Sequence, residues 1–330
     1  MAVTNVETQL DARAAARLGV PDVAVPHLDV FFKRDELAFI AHAPKEPFSR
    51  EQAAEALKAS NSTTDADIDG FLARAYQRGV VNLAEGSALE PASPQARFTL
   101  GDFYDRLDIF AITEQEAWRA LPQHVRSALE SWSFNAYVNG LDPDPSSAPT
   151  PDRVLSLDET LAFIDAQDRP IYLNTCDCRS LAGNCDLPTR TCLTYKSGPN
   201  TFCSRGLSQA LTKEQAKDVV RMADKAGLMH TANPNGICNC CGDCCYLFRG
   251  QKHRNSVGVW PIAPHVISLD ANACIGCGKC AKRCHFDVFT VARDPQTNKR
   301  RAVADTSRCV GCGICATTCP THALALTDRK

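Results

Sequence analysis

Cysteine is the residue type with the clearest chemistry in this chain. There are 18 cysteines among 330 residues, and all of them lie at or after Cys176. Cytosolic thiols are kept reduced, so this density predicts metal ligation by thiolates rather than a framework of disulfides. The competing explanation, a secreted disulfide scaffold, needs an export signal. The N-terminal sequence lacks a basic stretch followed by an apolar one.

The C-terminal cysteines form two runs of the pattern C-x-x-C-x-x-C-x-x-x-C, 35 residues apart. A [4Fe–4S] cube needs four thiolates at its corners, and two-residue spacers let one tight loop supply three of them. A zinc site needs only two separated C-x-x-C pairs around one ion. Two complete runs of four cysteines therefore contain more closely spaced ligands than zinc requires. The pattern therefore predicts two [4Fe–4S] clusters with eight ligands: Cys274, Cys277, Cys280, Cys284, Cys309, Cys312, Cys315 and Cys319.

The segment 264–330 resembles the bacterial two-cluster ferredoxin domain through these two runs. The resemblance implies that the fourth cysteine of each run ligates the other cluster. Cys319 would then complete the cube of the first run, and Cys284 would complete the cube of the second. One departure is visible, since the proline that follows the fourth cysteine in this family is Pro320 in the second run but His285 in the first.

A third cysteine-rich segment, ICNCCGDCC at residues 237–245, has five cysteines among eight consecutive residues. Three of them repeat the C-x-x-C-x-x-C loop and are predicted to hold a third cube: Cys238, Cys241 and Cys244. The fourth thiolate would come from elsewhere in the fold, with Cys203 as one candidate. Cys240 and Cys245 are extras without an assigned ligand role, and either could be shared between neighbouring metals.

The stretch TCDCRSLAGNCDLPTRTCL supplies four more thiolates: Cys176, Cys178, Cys185 and Cys192. Four thiolates complete one site, which is either a fourth cube or a structural zinc. A non-cubane cluster and reactive thiols are further alternatives. Beyond the two ferredoxin clusters, we therefore expect one or two additional iron–sulfur clusters, with zinc as the alternative at one upstream site.

The elements that must position these cysteines follow from the periodicity of apolar residues. Up to residue 138 the pattern is mainly helical, with one helix over 34–42, a second capped by Ser49 and a third ended by Gly79. Two strand-like segments, VVNL and ARFTL, come next. In the cysteine-rich part, Thr212 and Gln215 form a capping box for a helix that Gly227 terminates.

The order of helices and strands in residues 34–100 resembles a winged helix-turn-helix. TCDCR, a helix ending in AGLMH and ICNCCGDCC together resemble a group of multi-cluster ferredoxin-like proteins with a winged-helix-like N-terminal part, a resemblance that implies no particular reaction. The helix that would enter the major groove of DNA begins with Asp65, Asp67 and Asp69. Because these carboxylates would face phosphates and base edges, the sequence favours a protein-docking role over DNA binding.

We therefore predict an α+β protein with a helical, winged-helix-like N-terminal domain, a cysteine-rich central module and a C-terminal two-cluster ferredoxin-like domain. The predicted boundaries are 1–138 for the docking domain, 139–153 for a linker rich in proline and serine, 154–263 for the metal-cluster module and 264–330 for the ferredoxin domain.

The predicted function is that of a cytosolic electron-transfer protein that relays single electrons to or from a partner oxidoreductase. The net charge is −2, no run of 18 apolar residues occurs, and the chain has neither a dinucleotide-binding GxGxxG nor a P-loop. Electrons must therefore come from and go to redox partner proteins, or go to a substrate at an unusual cluster. The alternatives are a terminal reductase with a substrate-binding cluster at Cys238–Cys245 and a redox-responsive transcription regulator. The sequence assigns no catalytic residue, electron donor, direction of electron flow or oligomeric state.

Overall fold

The computed structural model describes residues 2–59, 67–87, 90–293 and 298–329. The chain divides into two compact units. Met1–Asn135 and Lys196–Ser208 make up the first unit, and Ala136–Tyr195 and Gln209–Lys330 make up the second. Helices and several small antiparallel sheets are both present, so the fold class is α+β. In the part of the chain that the structure describes, no helix has the length and apolar character needed to cross a bilayer.

The first unit is mainly helical. Its helices, the last of which crosses the boundary of the unit, are α1 (Ala2–Leu18), α2 (Leu28–Phe31), α3 (Arg34–His42), α4 (Arg50–Ala59), α5 (Ile68–Gln77), α6 (Phe103–Thr113), α7 (Gln115–Ala120) and α8 (Gln123–Asn139). The antiparallel strands β1 (Val81–Leu83) and β2 (Phe98–Leu100) follow α5 in the chain. The predicted order of three helices and two strands is therefore present between α3 and β2. Asp65 lies outside the described residues.

Local sequence signals account for the ends of these helices. The backbone N–H of Gln52 donates to Ser49 Oγ and that of Ser49 donates to the Gln52 side chain, so the predicted cap of α4 is confirmed. Asp67 caps α5 by accepting a hydrogen bond from the Gly70 amide. Gly79, at φ +76°, follows the end of α5 and turns the chain toward β1.

A buried ionic network lies inside the first unit. Arg106 is fully buried and donates to the Phe31 carbonyl and to Glu114. Arg78 donates to Glu114 and also to the buried Glu36, at 2.6 and 2.8 Å. A buried charge without a partner would destabilise the folded state. The ion pairs and hydrogen bonds of these arginines therefore stabilise the packing of the helices.

The segment 196–208 belongs to the first unit although it lies in the cysteine-rich half of the sequence. Asn200 pairs with the backbone of Leu83, accepting from its N–H at 2.8 Å and donating to its carbonyl at 2.9 Å. The buried Arg205 donates to oxygens of β1. Cys203 lies in this segment.

A six-stranded antiparallel sheet organises the second unit, in the order β3-β7-β8-β5-β4-β6. The strands are β3 (Arg153–Leu155), β4 (Ile171–Asn174), β5 (Cys192–Thr194), β6 (Gln209–Leu211), β7 (Met229–Asn233) and β8 (Gly236–Cys240), with helices α9 (Leu157–Asp165), α10 (Asp177–Ala182), α11 (Lys213–Ala226) and α12 (Tyr246–Arg254). The predicted capping box of Thr212 and Gln215 and the left-handed Gly227 bound α11, so that prediction is confirmed.

The C-terminal part of this unit consists of two antiparallel strand pairs. The pairs are β9 (His265–Leu269) with β12 (Leu324–Asp328), and β10 (Phe289–Arg293) with β11 (Arg300–Ala304), and the short helix α13 (Lys279–Arg283) lies before β10. Pairing the first strand with the last brings the two cysteine runs into one apolar core.

The segment 139–153, which is rich in proline and serine, is held by hydrogen bonds within the second unit. Arg254 donates to the Asp142 carbonyl at 2.7 Å and to Ser147 Oγ at 2.9 Å. Trp260 Nε1 donates to Thr150 Oγ1 at 2.7 Å. These bonds place the segment against the loop that follows α12.

Candidate metal centres

The eight cysteines of the two C-terminal runs line two separate pockets. Three cysteines of the first run share a pocket with Cys319, and three of the second run share a pocket with Cys284. The two pockets are similar in size, about 350 and 310 Å³ when the solvent at their openings is included. The fourth cysteine of each run therefore lies with the three cysteines of the other run.

Glycines shape the backbone around these pockets. Gly276 and Gly311 have φ values of +65° and +71°, and a Cβ on either would lie 2.4 Å or less from a backbone oxygen, that of Arg300 or His265. In this conformation the amide of Gly276 donates to Cys274 Sγ at 3.4 Å. The amide of Gly311 makes the equivalent bond to Cys309 Sγ at 3.3 Å. Such donors stabilise the negative charge of thiolate ligands.

The chemistry of the pockets fits a bound cationic centre. Burial raises the pKa of the Cys312 thiol to about 12, and it also raises the pKa of Cys315. These thiols stay protonated at neutral pH unless a metal displaces the proton, as metals do when they bind thiolates. Apolar side chains of Ile267, Val288 and Leu326 complete the lining of the second pocket. The residues present therefore suit an iron–sulfur cluster shielded from water.

Comparison with known families agrees with this geometry. Residues 273–324 match the profile of the 4Fe-4S dicluster domain family. This segment is a 4Fe–4S dicluster domain. No curated protein and no solved structure matches the chain. The dicluster domain thus accounts for eight of the 18 cysteines, and the other ten lie before it.

Six of the upstream cysteines form one connected set, which we call the six-thiol pocket: Cys176, Cys178, Cys192, Cys238, Cys240 and Cys245. Neighbouring thiols in this set shift one another's pKa, in the order 178, 176, 192, 238, 240, 245. The Cys245 thiol donates a hydrogen bond to Cys240 Sγ at 3.2 Å. The set lies where β5 and β8 pair and where α10 and α12 begin.

Three other upstream cysteines form the three-thiol group: Cys185, Cys241 and Cys244. Their sulfurs lie within 4.8 Å of one another, and Cys185 Sγ is 3.6 Å from Cys244 Sγ. A hydrogen bond with Cys244 and the charge of Arg179 lower the pKa of Cys241 to about 4. Within the described ranges this is the only set of three histidine, cysteine or acidic side chains so close together.

These two sets differ from the ligand sets predicted from sequence. The structure groups Cys238 with Cys192 and Cys240 instead of with Cys241 and Cys244. The reason is that Cys238 and Cys240 lie on strand β8, where alternate residues face the same side, and the chain turns after Cys240. Cys185 likewise leaves the predicted set with Cys176, because α10 and the left-handed Gly183 carry the chain away.

The buried Arg179 interacts with both upstream sets. Burial opposes its charge, but thiolate charge at Cys176 and Cys241 outweighs burial and raises the pKa of the guanidinium. Arg179 also donates to the Pro188 carbonyl at 2.5 Å and to the Asn239 carbonyl at 2.7 Å. It therefore ties the two cysteine-bearing segments together. Sequence analysis missed this residue, and the available signal was the arginine of TCDCR.

His285, which replaces the proline of the ferredoxin pattern, makes a contact with the upstream segment. Its Nε2–H donates to the Gly227 carbonyl at 2.8 Å. The ring lies against Gly242, where an added Cβ would be 2.5 Å from the His285 Cβ. The histidine thus packs the dicluster domain against the loop that carries Cys241 and Cys244.

Proposed function

We propose that this chain is an iron–sulfur electron-transfer protein that relays single electrons between partner oxidoreductases. The observation that carries the proposal is one apolar core that contains thiols of the upstream cysteine-rich segments and of the dicluster domain. Cys240 and Cys245 of the six-thiol pocket belong to the same cluster of packed side chains as Cys312 of the dicluster domain. Continuous packing leaves no water layer between the upstream thiols and the second dicluster pocket.

Aromatic side chains form the centre of this shared core. Phe248 of α12 and Phe286, which follows Cys284, have ring centroids 5.4 Å apart in an edge-to-face arrangement. Val310 and Ile314 of the second cysteine run pack against the same cluster. We propose that electrons pass through this core between the dicluster domain and a metal centre in the six-thiol pocket.

The proposed ligands of the dicluster domain follow the two pockets. One cube would be held by Cys274, Cys277, Cys280 and Cys319, and the other by Cys309, Cys312, Cys315 and Cys284. When bound, each cube supplies a site that accepts and releases one electron.

We assign a protein-docking role to the winged-helix-like part of the first unit. Arg78 is committed to buried carboxylates, and Arg50 pairs with Asp69 at 2.6 Å. A groove of about 870 Å³ beside β1 and β2 is lined by Glu46 and Glu85 together with a single arginine. This charge distribution opposes a phosphate backbone, which argues against the DNA-binding regulator.

The relay is tested by electron transfer in the absence of oxygen. Protein reduced with dithionite and freed of excess reductant is expected to return at least about two electrons per chain to a one-electron acceptor such as cytochrome c, two of them from the dicluster domain. The matched control is the Cys309→Ala, Cys274→Ala double variant, which should return about two electrons fewer. Reduced clusters that fail to reoxidise with the acceptor would contradict the relay.

The terminal-reductase alternative now depends on the metal of the three-thiol group. The group has three thiolates and no fourth side-chain ligand in its immediate set among the described residues, so one coordination position is open. Its 3.6 Å sulfur separation, however, is close to the edge of about 3.8 Å that a tetrahedron with zinc–sulfur bonds of about 2.3 Å requires. Corners of a cube bind different irons and lie further apart.

We therefore expect Cys185→Ala to lose about one zinc per chain and no iron. The matched control, Cys203→Ala, changes a cysteine of the first unit and should keep both metals. Zinc and iron measured by mass spectrometry on anaerobically prepared protein give the answer. Loss of iron instead of zinc would place an iron–sulfur cluster with an open corner at this group and favour the reductase.

A further inference from the structure

Cys240 and Cys245 are distinguished from the other thiols of the six-thiol pocket by two observations. Their sulfurs are in direct contact, since the Cys245 thiol donates to Cys240 Sγ at 3.2 Å. Both also pack into the apolar core that contains Cys312 of the dicluster domain. We propose that these two cysteines form a redox-active pair, which closes to a disulfide and reopens to two thiols and so stores two electrons beside the relay.

This inference rests on the proposed relay and goes beyond it by adding a two-electron site made of protein atoms alone. It uses the two cysteines of ICNCCGDCC to which the C-x-x-C-x-x-C spacing assigns no ligand role. The other thiols of the pocket are as many as one cube requires, namely Cys176, Cys178, Cys192 and Cys238. A metal centre in the pocket therefore does not need the pair.

The distance between the two sulfurs suits formation of a bond between them better than shared metal ligation. Two thiolates on one zinc ion lie about 3.8 Å apart, and thiolates at different corners of a cube lie further apart. At 3.2 Å, the sulfurs of Cys240 and Cys245 are closer than in either case. The S–S bond of a disulfide is about 2.05 Å long, so the two sulfurs need to approach by about 1.2 Å.

The fold holds the two sulfurs together and surrounds them with apolar side chains. Cys240 is the last residue of β8, and Cys245 directly precedes the first residue of α12. The two cysteines are 5% and 8% exposed, and Met229 and Phe248 belong to the same cluster of packed side chains. Thiol–disulfide exchange with another protein requires an accessible sulfur, so electron transfer through the core is the route that this burial favours.

The redox step balances with the one-electron chemistry of the relay. Closing the pair breaks two S–H bonds, forms one S–S bond and releases two electrons and two protons. The two electrons equal the capacity proposed for the dicluster domain, which passes them to the one-electron acceptor. Reopening takes up two electrons from a one-electron donor by the same route, together with two protons from water.

One neighbouring side chain supports the thiolate form of the pair. The hydroxyl of Thr231, on the adjacent strand β7, lies 3.8 Å from Cys240 Sγ and can donate a hydrogen bond to it. Such a donor stabilises the negative charge that the sulfur carries once its proton has left. Thr231 is buried, so this hydrogen bond competes with little water.

The first test separates the redox pair from metal ligation. We expect Cys240→Ala and Cys245→Ala, prepared without oxygen, to keep the iron and zinc content of the wild type. Cys319→Ala is the matched positive control and should lose about four irons. Retained metal also shows that the two variants are folded. Loss of about four irons from either variant would make that cysteine a cluster ligand and overturn the proposal.

The second test identifies the disulfide itself. Wild-type protein is treated with excess oxidised cytochrome c without oxygen, denatured in acid with a chelator and alkylated. The tryptic segment 226–249 contains five cysteines. We expect three of them to be alkylated and a disulfide to join Cys240 and Cys245, whereas reduced methyl viologen, a one-electron donor, should restore five alkylated cysteines. Five alkylated cysteines after oxidation, or a disulfide between other positions, would overturn the proposal.

The matched control for the route is the Cys309→Ala, Cys274→Ala double variant, checked for wild-type circular dichroism. Its segment 226–249 should keep five alkylated cysteines after cytochrome c, because the buried pair has lost its connection to the acceptor. Closure of the pair in this variant would contradict the proposed route. The relay is judged separately in Cys240→Ala, which lacks the pair and should still return the two electrons of the dicluster domain to cytochrome c. Failure of that transfer would contradict the relay, whereas a wild-type pair that stays open would contradict only this inference.

Discussion

Replacing Cys319 with alanine is expected to remove one cube, about four irons per chain, and adding Cys274→Ala is expected to remove no more. The physical reason is that Cys319 lines the pocket of Cys274, Cys277 and Cys280 although it follows Cys309 in sequence by ten residues. A cube that loses one of four thiolates exposes an iron to solvent and is dismantled. Both substitutions therefore act on the same cluster.

The matched combination is Cys319→Ala with Cys309→Ala, which places the two changes in different pockets. This double variant should lose about eight irons, twice the loss of either single variant. Iron content measured on the three anaerobic samples shows whether Cys319 completes the cube of the first run, which is crossed ligation, or the cube of its own run, which is local ligation. The crossed assignment is wrong if the pair 319 and 309 loses four irons while the pair 319 and 274 loses eight.

Sequence spacing was sufficient to predict the dicluster domain because its geometry is local. Three of the four proposed ligands of each cube come from one loop, and the positive φ values of Gly276 and Gly311 provide the turns in these loops. The capping roles of Ser49 and Thr212 could also be predicted from the sequence, because a cap depends on contacts within four residues. The local structure of such motifs can therefore be predicted from their own sequence.

The upstream ligand sets could not be predicted in this way because strand pairing assembles them. Cys192 begins β5, Cys238 lies on β8, and these strands become neighbours although 45 residues separate the two cysteines. Repetition of C-x-x-C-x-x-C suggested one loop around one cube. The strand conformation of 236–240 instead gives that segment a two-residue period, which divides its cysteines between two sites.

The sequence also could not predict that the segment 196–208 belongs to the first unit. Asn200 binds the backbone of Leu83 across 117 positions of sequence, and nothing in the local pattern indicates that partner. Cys203, a candidate ligand of the third cube on sequence grounds, consequently belongs to the first unit. It is the appropriate control in metal analysis because the nine other upstream cysteines belong to the second unit.

The second large effect is expected at Arg179, whose replacement by methionine should remove most of the upstream metal and leave the dicluster domain loaded. Methionine keeps much of the side-chain volume but removes the charge and the three hydrogen bonds, to the carbonyls of Pro188 and Asn239 and to Thr191 Oγ1. Removing one partner of a buried charge interaction costs about 3–5 kcal/mol. The thiolates of both upstream sets would then face one another without their buried cation.

Arg190→Met is the matched control, because Arg190 lies in the same cysteine-bearing stretch but is exposed and bonds only the Gln209 side chain in the contacts the structure describes. Iron and zinc content, together with EPR of the dicluster clusters, should show upstream loss for Arg179→Met alone. Arg179→Lys restores the charge without the paired hydrogen bonds, so metal retained in that variant would assign the effect to electrostatics. Full metal content in Arg179→Met would mean that the two cysteine segments and their centres are held together without this arginine.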